Sequence, residues 1–75
     1  MKATLEFDLP DDKYEFKMAL LGSTYAAVVV ELDQHLRWKV KYDEDLPEAH
    51  REVLDGVRTR LWEILNAYDL DPYAE

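Results

Sequence analysis

The stretch Ser23-Thr24-Tyr25-Ala26-Ala27-Val28-Val29-Val30-Glu31-Leu32-Asp33-Gln34-His35-Leu36-Arg37-Trp38-Lys39-Val40-Lys41-Tyr42 admits two backbone forms, and the architecture of the chain follows from which one it takes. With a helical period, Tyr25, Val28, Val29, Leu32, Leu36 and Val40 recur at spacings of three and four. Ser23 then stands as a cap, and Arg37, Lys39 and Lys41 suit the negative end of the helix dipole. With a period of two, Leu36 to Tyr42 alternates without a break, and Val28 to Val30 is a β-branched triplet. A hairpin requires a turn near Asp33-Gln34, and that pair lacks the Gly or Asn-Gly chemistry of tight turns, whereas Asp33 and Arg37 are spaced as a helical ion pair. Residues 23–42 are therefore expected to form one helix. The alternative is an α+β fold with residues 25–42 as a β-hairpin.

On the N-terminal side, Asp8-Leu9-Pro10-Asp11 has an acid at a cap position and Pro in the first turn, and Asp45-Leu46-Pro47-Glu48 repeats the pattern. Each predicts a helix start. The first helix is expected over 9–21, ended by Gly22. Before it, Ala3, Leu5 and Phe7 alternate with polar residues, which predicts a short strand or extended arm over 1–8 that pairs with another subunit or lies along a helix. On the C-terminal side, Leu54, Val57, Leu61, Ile64 and Tyr68 fall on an alternating three-four seam, so 46–69 reads as an amphipathic helix. The loop Asp43–Asp45 is short enough to fold it antiparallel onto helix 23–42. Residues 70–75 read as a frayed acidic tail. The expected fold is thus mainly α, one small domain spanning 1–75.

A chain of 75 residues buries only about 60% of the surface its unfolded form exposes, so its core is thin. No Cys is present to staple it, and His35 and His50 are the only soft metal ligands, which argues against a structural zinc. Self-association is the remaining remedy, and a homo-oligomer is expected. Met1 to Phe7 lacks the apolar stretch of a signal peptide, and the longest apolar run, Tyr25 to Val30, is six residues; a soluble protein outside membranes is expected.

The net charge of −8 is uneven: residues 1–34 carry three Lys against seven acids, residues 35–42 carry three cations and no acid, and residues 43–75 carry three Arg against ten acids. A surface this negative repels a phosphate backbone, so ordinary nucleic-acid binding is not expected. It suits a basic protein partner, with Asp43, Glu44 and Asp45 as contact candidates, or it serves only to keep a small domain dispersed.

Few residues here could run a reaction. The one Ser, Ser23, reads as a cap, and Gly22 and Gly56 stand apart, so no phosphate-cradling loop is present. His35 and His50 read as solvated helix residues. No enzyme, cofactor or metal is therefore expected. Tyr25, His35, Arg37, Trp38 and Lys41 do combine planar rings with cations, the ingredients for stacking a base and neutralising a phosphate. The plainer reading packs Trp38 against the last helix or a subunit interface and leaves the cations to the dipole.

The opening Leu5-Glu6-Phe7-Asp8-Leu9-Pro10 with Glu15-Phe16, the stretch Glu31-Leu32-Asp33-Gln34-His35-Leu36-Arg37 with Lys41-Tyr42, and the closing amphipathic helix together resemble a group of small acidic proteins of tailed bacteriophages. The resemblance carries over no functional residues. What it implies is context: an accessory protein in the host cytoplasm that blunts a host defence or redirects a host enzyme by stoichiometric binding. Inhibition of a host or defence macromolecule is the first expectation, an oligomeric sponge for an anionic nucleotide signal the second, and a structural or assembly module the third.

Overall fold

The computed structural model describes residues 1–74. Residues 23–42 are helical throughout, and they are only the later part of a longer element: α1 runs Lys13–Tyr42, 30 residues, and α2 runs Glu48–Ala67, 20 residues. The two form an antiparallel hairpin, and no strand is present among the described residues. The β-hairpin alternative is thereby overturned. At 1.5 Å per residue α1 is about 45 Å long, which sets the elongated 52 × 28 × 21 Å shape.

Three expected boundaries are corrected. Gly22 does not end a helix, because its backbone is not left-handed and so cannot close the preceding carbonyls; the helix passes through it, and Ser23 is an interior residue rather than a cap. α1 begins at Lys13 rather than residue 9. Asp8 does not cap it with its side chain; instead the Asp12 carboxylate accepts the Asp8 N–H at 2.9 Å while the Asp8 carbonyl accepts the Asp12 N–H at 2.7 Å, closing a turn ahead of the helix. Residues 1–8 pair with no strand of the same chain among the described residues; Phe7 sets its ring edge-on against Phe16 of α1, 5.4 Å between centroids.

α2 is also shorter at both ends than 46–69. Its N-cap is Pro47, with no side-chain cap, and Asp45 does not serve as one. At the other end Asp69 takes a left-handed conformation, φ 55°, while the Asp69 N–H donates to the Asn66 carbonyl at 3.1 Å and the Leu70 N–H to the Leu65 carbonyl at 2.8 Å. This is a Schellman cap built on Asp rather than Gly, and it reverses the chain. Residues 70–74 are in consequence not a frayed tail: they return along the hairpin, held by an Asp71 turn whose carboxylate accepts the Tyr73 N–H at 2.9 Å. Glu75 lies outside the described residues.

The interior is sparse. Leu36 and Leu65 are the buried apolar side chains, 6% and 7% exposed, and the most buried residue of the described set is a charged one, Asp33, at 2%.

Candidate functional site

Asp33 sits where an apolar residue is expected. On α1 the positions facing α2 are Val29, Asp33, Leu36 and Val40, spaced four, three and four; on α2 they are Leu54, Arg58, Leu61 and Leu65 with the same spacing. Acid and base interrupt the two seams at matching height, and folding brings them together. Arg58 Nε donates to Asp33 Oδ1 at 2.8 Å, Trp62 Nε1 donates to the same oxygen at 2.8 Å, and the Tyr73 hydroxyl donates to Oδ2 at 2.7 Å. Tyr73 also stacks on Trp62, the rings 11° from parallel. The Arg58 hydrogen bond first, then those of Tyr73 and Trp62, outweigh the cost of burial and hold the Asp33 carboxyl down at about 2. The same carboxylate pushes the Tyr73 phenol and the Arg58 guanidinium up. With its oxygens engaged by three donors Asp33 has no basicity to lend a reaction; it is a clamp joining α1, α2 and the returning tail.

A second cluster closes the hairpin. Arg51, from the first turn of α2, reaches back over the end of α1 and donates to the carbonyls of Val40, Asp43 (2.9 Å), Lys39 and Leu46 (both 3.4 Å). It satisfies carbonyls that the helix end leaves open. Asp43, named above as a contact candidate, is occupied locally: Lys39 Nζ donates to it at 3.0 Å, which lowers its pKa, and its other oxygen accepts the Asp45 N–H at 3.2 Å. Glu44 and Asp45 are exposed.

The basic and aromatic residues singled out in the sequence separate into two places. Arg37 and Trp38 come together with Gln34 and Tyr42 around a shallow surface depression of about 250 Å³ near the end of α1. Lys41, four residues after Arg37 and three after Trp38, is on the same outward face, and His35 borders it. Trp38 is 52% exposed, so it is not packed on α2; the Lys39 ammonium lies 5.6 Å from its ring centroid. Among the described residues neither Arg37 nor Lys41 enters an ion pair. Tyr25 does not join them. It lies twelve residues back, about 18 Å along the helix, beside an apolar hollow of about 230 Å³ formed with Gly22, Ala26, Val29, Leu65, Leu70 and Pro72.

Asp33, Arg58, Trp62 and Tyr73 are the residues that sequence reading left unassigned as a group. The signal was present in part, since an acid and a base each interrupt an apolar seam; the return of Tyr73 depends on Asp69 going left-handed, which its neighbours do not announce. Among the described residues no group of His, Asp or Glu could hold a metal ion, and no helix is long and apolar enough to cross a membrane. Comparison of the chain with protein families, with curated proteins and with solved structures found no match in any of the three.

Proposed function

We propose that this protein acts by stoichiometric binding rather than catalysis, and that the outward face at the end of α1 takes a small anionic ligand carrying a planar ring, a nucleotide-type signal, as a sponge. The observation that carries this reading is the gathering of Arg37, Trp38 and Tyr42 around one depression, with Lys41 beside it, on a molecule of net charge −8. An exposed indole offers a stacking platform, and cations with no ion-pair partner among the described residues neutralise a phosphate beside it; both are wasted on a surface that only needs to stay dispersed. Calorimetric titration with cyclic mononucleotides and dinucleotides tests the reading: saturable heat is expected, lost in Arg37→Ala and in Lys41→Ala with helicity unchanged. Equal heat from the matching phosphate-free nucleosides contradicts it.

A second reading is inhibition of a host or defence macromolecule with a basic surface. The exposed Glu44 and Asp45 and the exposed acids of α2, Glu48, Glu52, Asp55 and Glu63, support it, as does the resemblance to small phage proteins, under which both readings belong to a phage accessory factor in the host cytoplasm. Reversing Glu44 and Asp45 to Lys then abolishes capture of that partner; capture left intact removes the acidic surface from consideration. A purely structural module, the third possibility, gives neither result.

A further inference from the structure

The continuity of α1 through Gly22 puts two half-helices in phase, and with them a seam that neither half shows alone. Tyr14, Met18, Leu21, Tyr25, Val28 and Leu32 follow one another at spacings of four, three, four, three and four, a coiled-coil repeat of nineteen residues. This is not the seam that α2 covers, which runs through Val29, Asp33, Leu36 and Val40. Val28 and Leu32 remain 59% and 49% exposed. α2 carries a matching stripe of Val53, Val57, Ile64 and Tyr68, all exposed.

The two stripes lie on one side of the hairpin. At about 100° per residue, each is rotated by a similar angle and in the same sense from the line on which its helix meets the other. In an antiparallel pair, equal rotations of the same sense reach the same side. Asp33, Arg58 and Trp62 are rotated the opposite way and mark the other side, which the returning tail occupies. The exposed helical acids Glu15, Glu31, Glu48, Glu52, Asp55 and Glu63 all fall outside the apolar side, whereas Lys39, His50 and Arg60 border it; the acids nearest it lie at its ends, Asp43 paired with Lys39 and Asp71 in the hollow beside Tyr25. On a chain of charge −8, an apolar face with no helical acid is where two like-charged copies can touch with the fewest opposing carboxylates.

We infer that this face binds a second copy of the chain, α1 against α1 antiparallel, to form a bundle of four helices. The register of the hairpin leaves Lys13–Leu21 running past the end of α2, where Met18 and Leu21 have no neighbouring helix of their own. An antiparallel dimer centred between Leu21 and Tyr25 lays this projecting end over the Val28, Leu32, Val57 and Ile64 face of the other copy, and the same contact is made in return. A parallel dimer leaves both projecting ends beyond both second helices. At roughly 100 Å² for each half-exposed large side chain, the eight exposed members of the two stripes bring roughly 800 Å² per copy, the share that one partner of a standard interface buries. The inference stands apart from the ligand-binding reading, because this face is not the one that carries Arg37, Trp38 and Lys41, and it is tested without ligand so that either can fail alone.

Sedimentation at about 100 µM, a concentration at which an interface of this size is filled, is expected to give twice the 8.9 kDa chain mass or a multiple of that pair. Val28→Glu with Leu32→Glu, both solvent-facing in the single chain and compatible with helix, is expected to return the mass to one chain with its helical circular dichroism kept. The cysteine-free sequence allows a second measurement. Met18→Cys chains mixed with Val28→Cys chains should crosslink to each other, while Val28→Cys alone should not, because its two copies stand about 15 Å apart along the antiparallel axis, beyond disulfide reach. A wild-type mass of one chain, a double Glu variant that keeps the wild-type mass, or self-crosslinking of Val28→Cys overturns the proposal.

Discussion

Asp33 shows how one charged side chain can organise a protein too small to have a large core. A buried carboxylate is unfavourable unless its partners are in place, and here three donors from two elements meet it at 2.7–2.8 Å. Removing the charge while keeping the shape, in Asp33→Asn, strands Arg58 against a neutral amide and is expected to lower unfolding free energy by about 2 kcal/mol, read from urea melts. Tyr73→Phe removes one hydrogen bond and should cost about 1 kcal/mol. The pH dependence has a definite sign. Because the folded Asp33 carboxyl sits at about 2 instead of 3.8, its contribution is complete above pH 4 and disappears as pH falls from about 4 toward 2. That contribution is at most about 2.5 kcal/mol, and Asp43, lowered by Lys39, acts in the same direction. Acid melts of Asp33→Asn should therefore lose most of the wild-type slope between pH 4 and 2; an unchanged slope contradicts the clamp. Sequence spacing alone could flag Asp33 and Arg58 as interruptions of apolar seams, but not the third donor. Tyr73 reaches Asp33 across forty residues of sequence through a left-handed Asp69, a long-range event that no local pattern encodes.

Among the elements, the hairpin was readable and its subdivision was not. The helical spacing of Tyr25 to Val40 and the amphipathic pattern of α2 gave two antiparallel helices joined by a short loop, as found. Gly22 misled because a glycine at the end of a periodic stretch is a stop signal only when the backbone turns left-handed there, and apolar phase across Gly22 was the better guide: Tyr14, Met18 and Leu21 continue directly into Tyr25, Val28 and Leu32. Open space surrounds Gly22, with nothing within 4 Å of where a Cβ would stand. Gly22→Ala is accordingly expected to stabilise the protein by up to about 1 kcal/mol, raising Tm; a lower Tm means the helix is broken there. The capping boxes misled for a related reason. At the α1–α2 junction no side chain caps the start of α2; the contacts there are those of Arg51 to open carbonyls of the α1 end and loop and of Asp43 to the Asp45 N–H, so Arg51→Ala should loosen the loop and cost about 2 kcal/mol, whereas Asp45→Ala, which removes no cap, should cost under 0.5 kcal/mol.

For the whole molecule, charge and apolar surface are sorted onto different sides. The tail and the Asp33 clamp cover one side of the hairpin, the apolar stripes occupy the other, and the outward end of α1 carries Arg37, Trp38 and Lys41, where the sequence is locally basic within a strongly acidic chain. Composition located that basic segment, and helical geometry decided which of its residues share a face: Arg37, Trp38 and Lys41 do, Tyr25 does not, and Tyr42 joins them. The most direct test of the binding account is calorimetric titration of the wild-type protein with a panel of cyclic mononucleotides and dinucleotides. Saturable binding to at least one member, abolished by Arg37→Ala while the helical spectrum is unchanged, is the predicted result. A flat titration across the panel, or binding that survives Arg37→Ala and Lys41→Ala together, contradicts it.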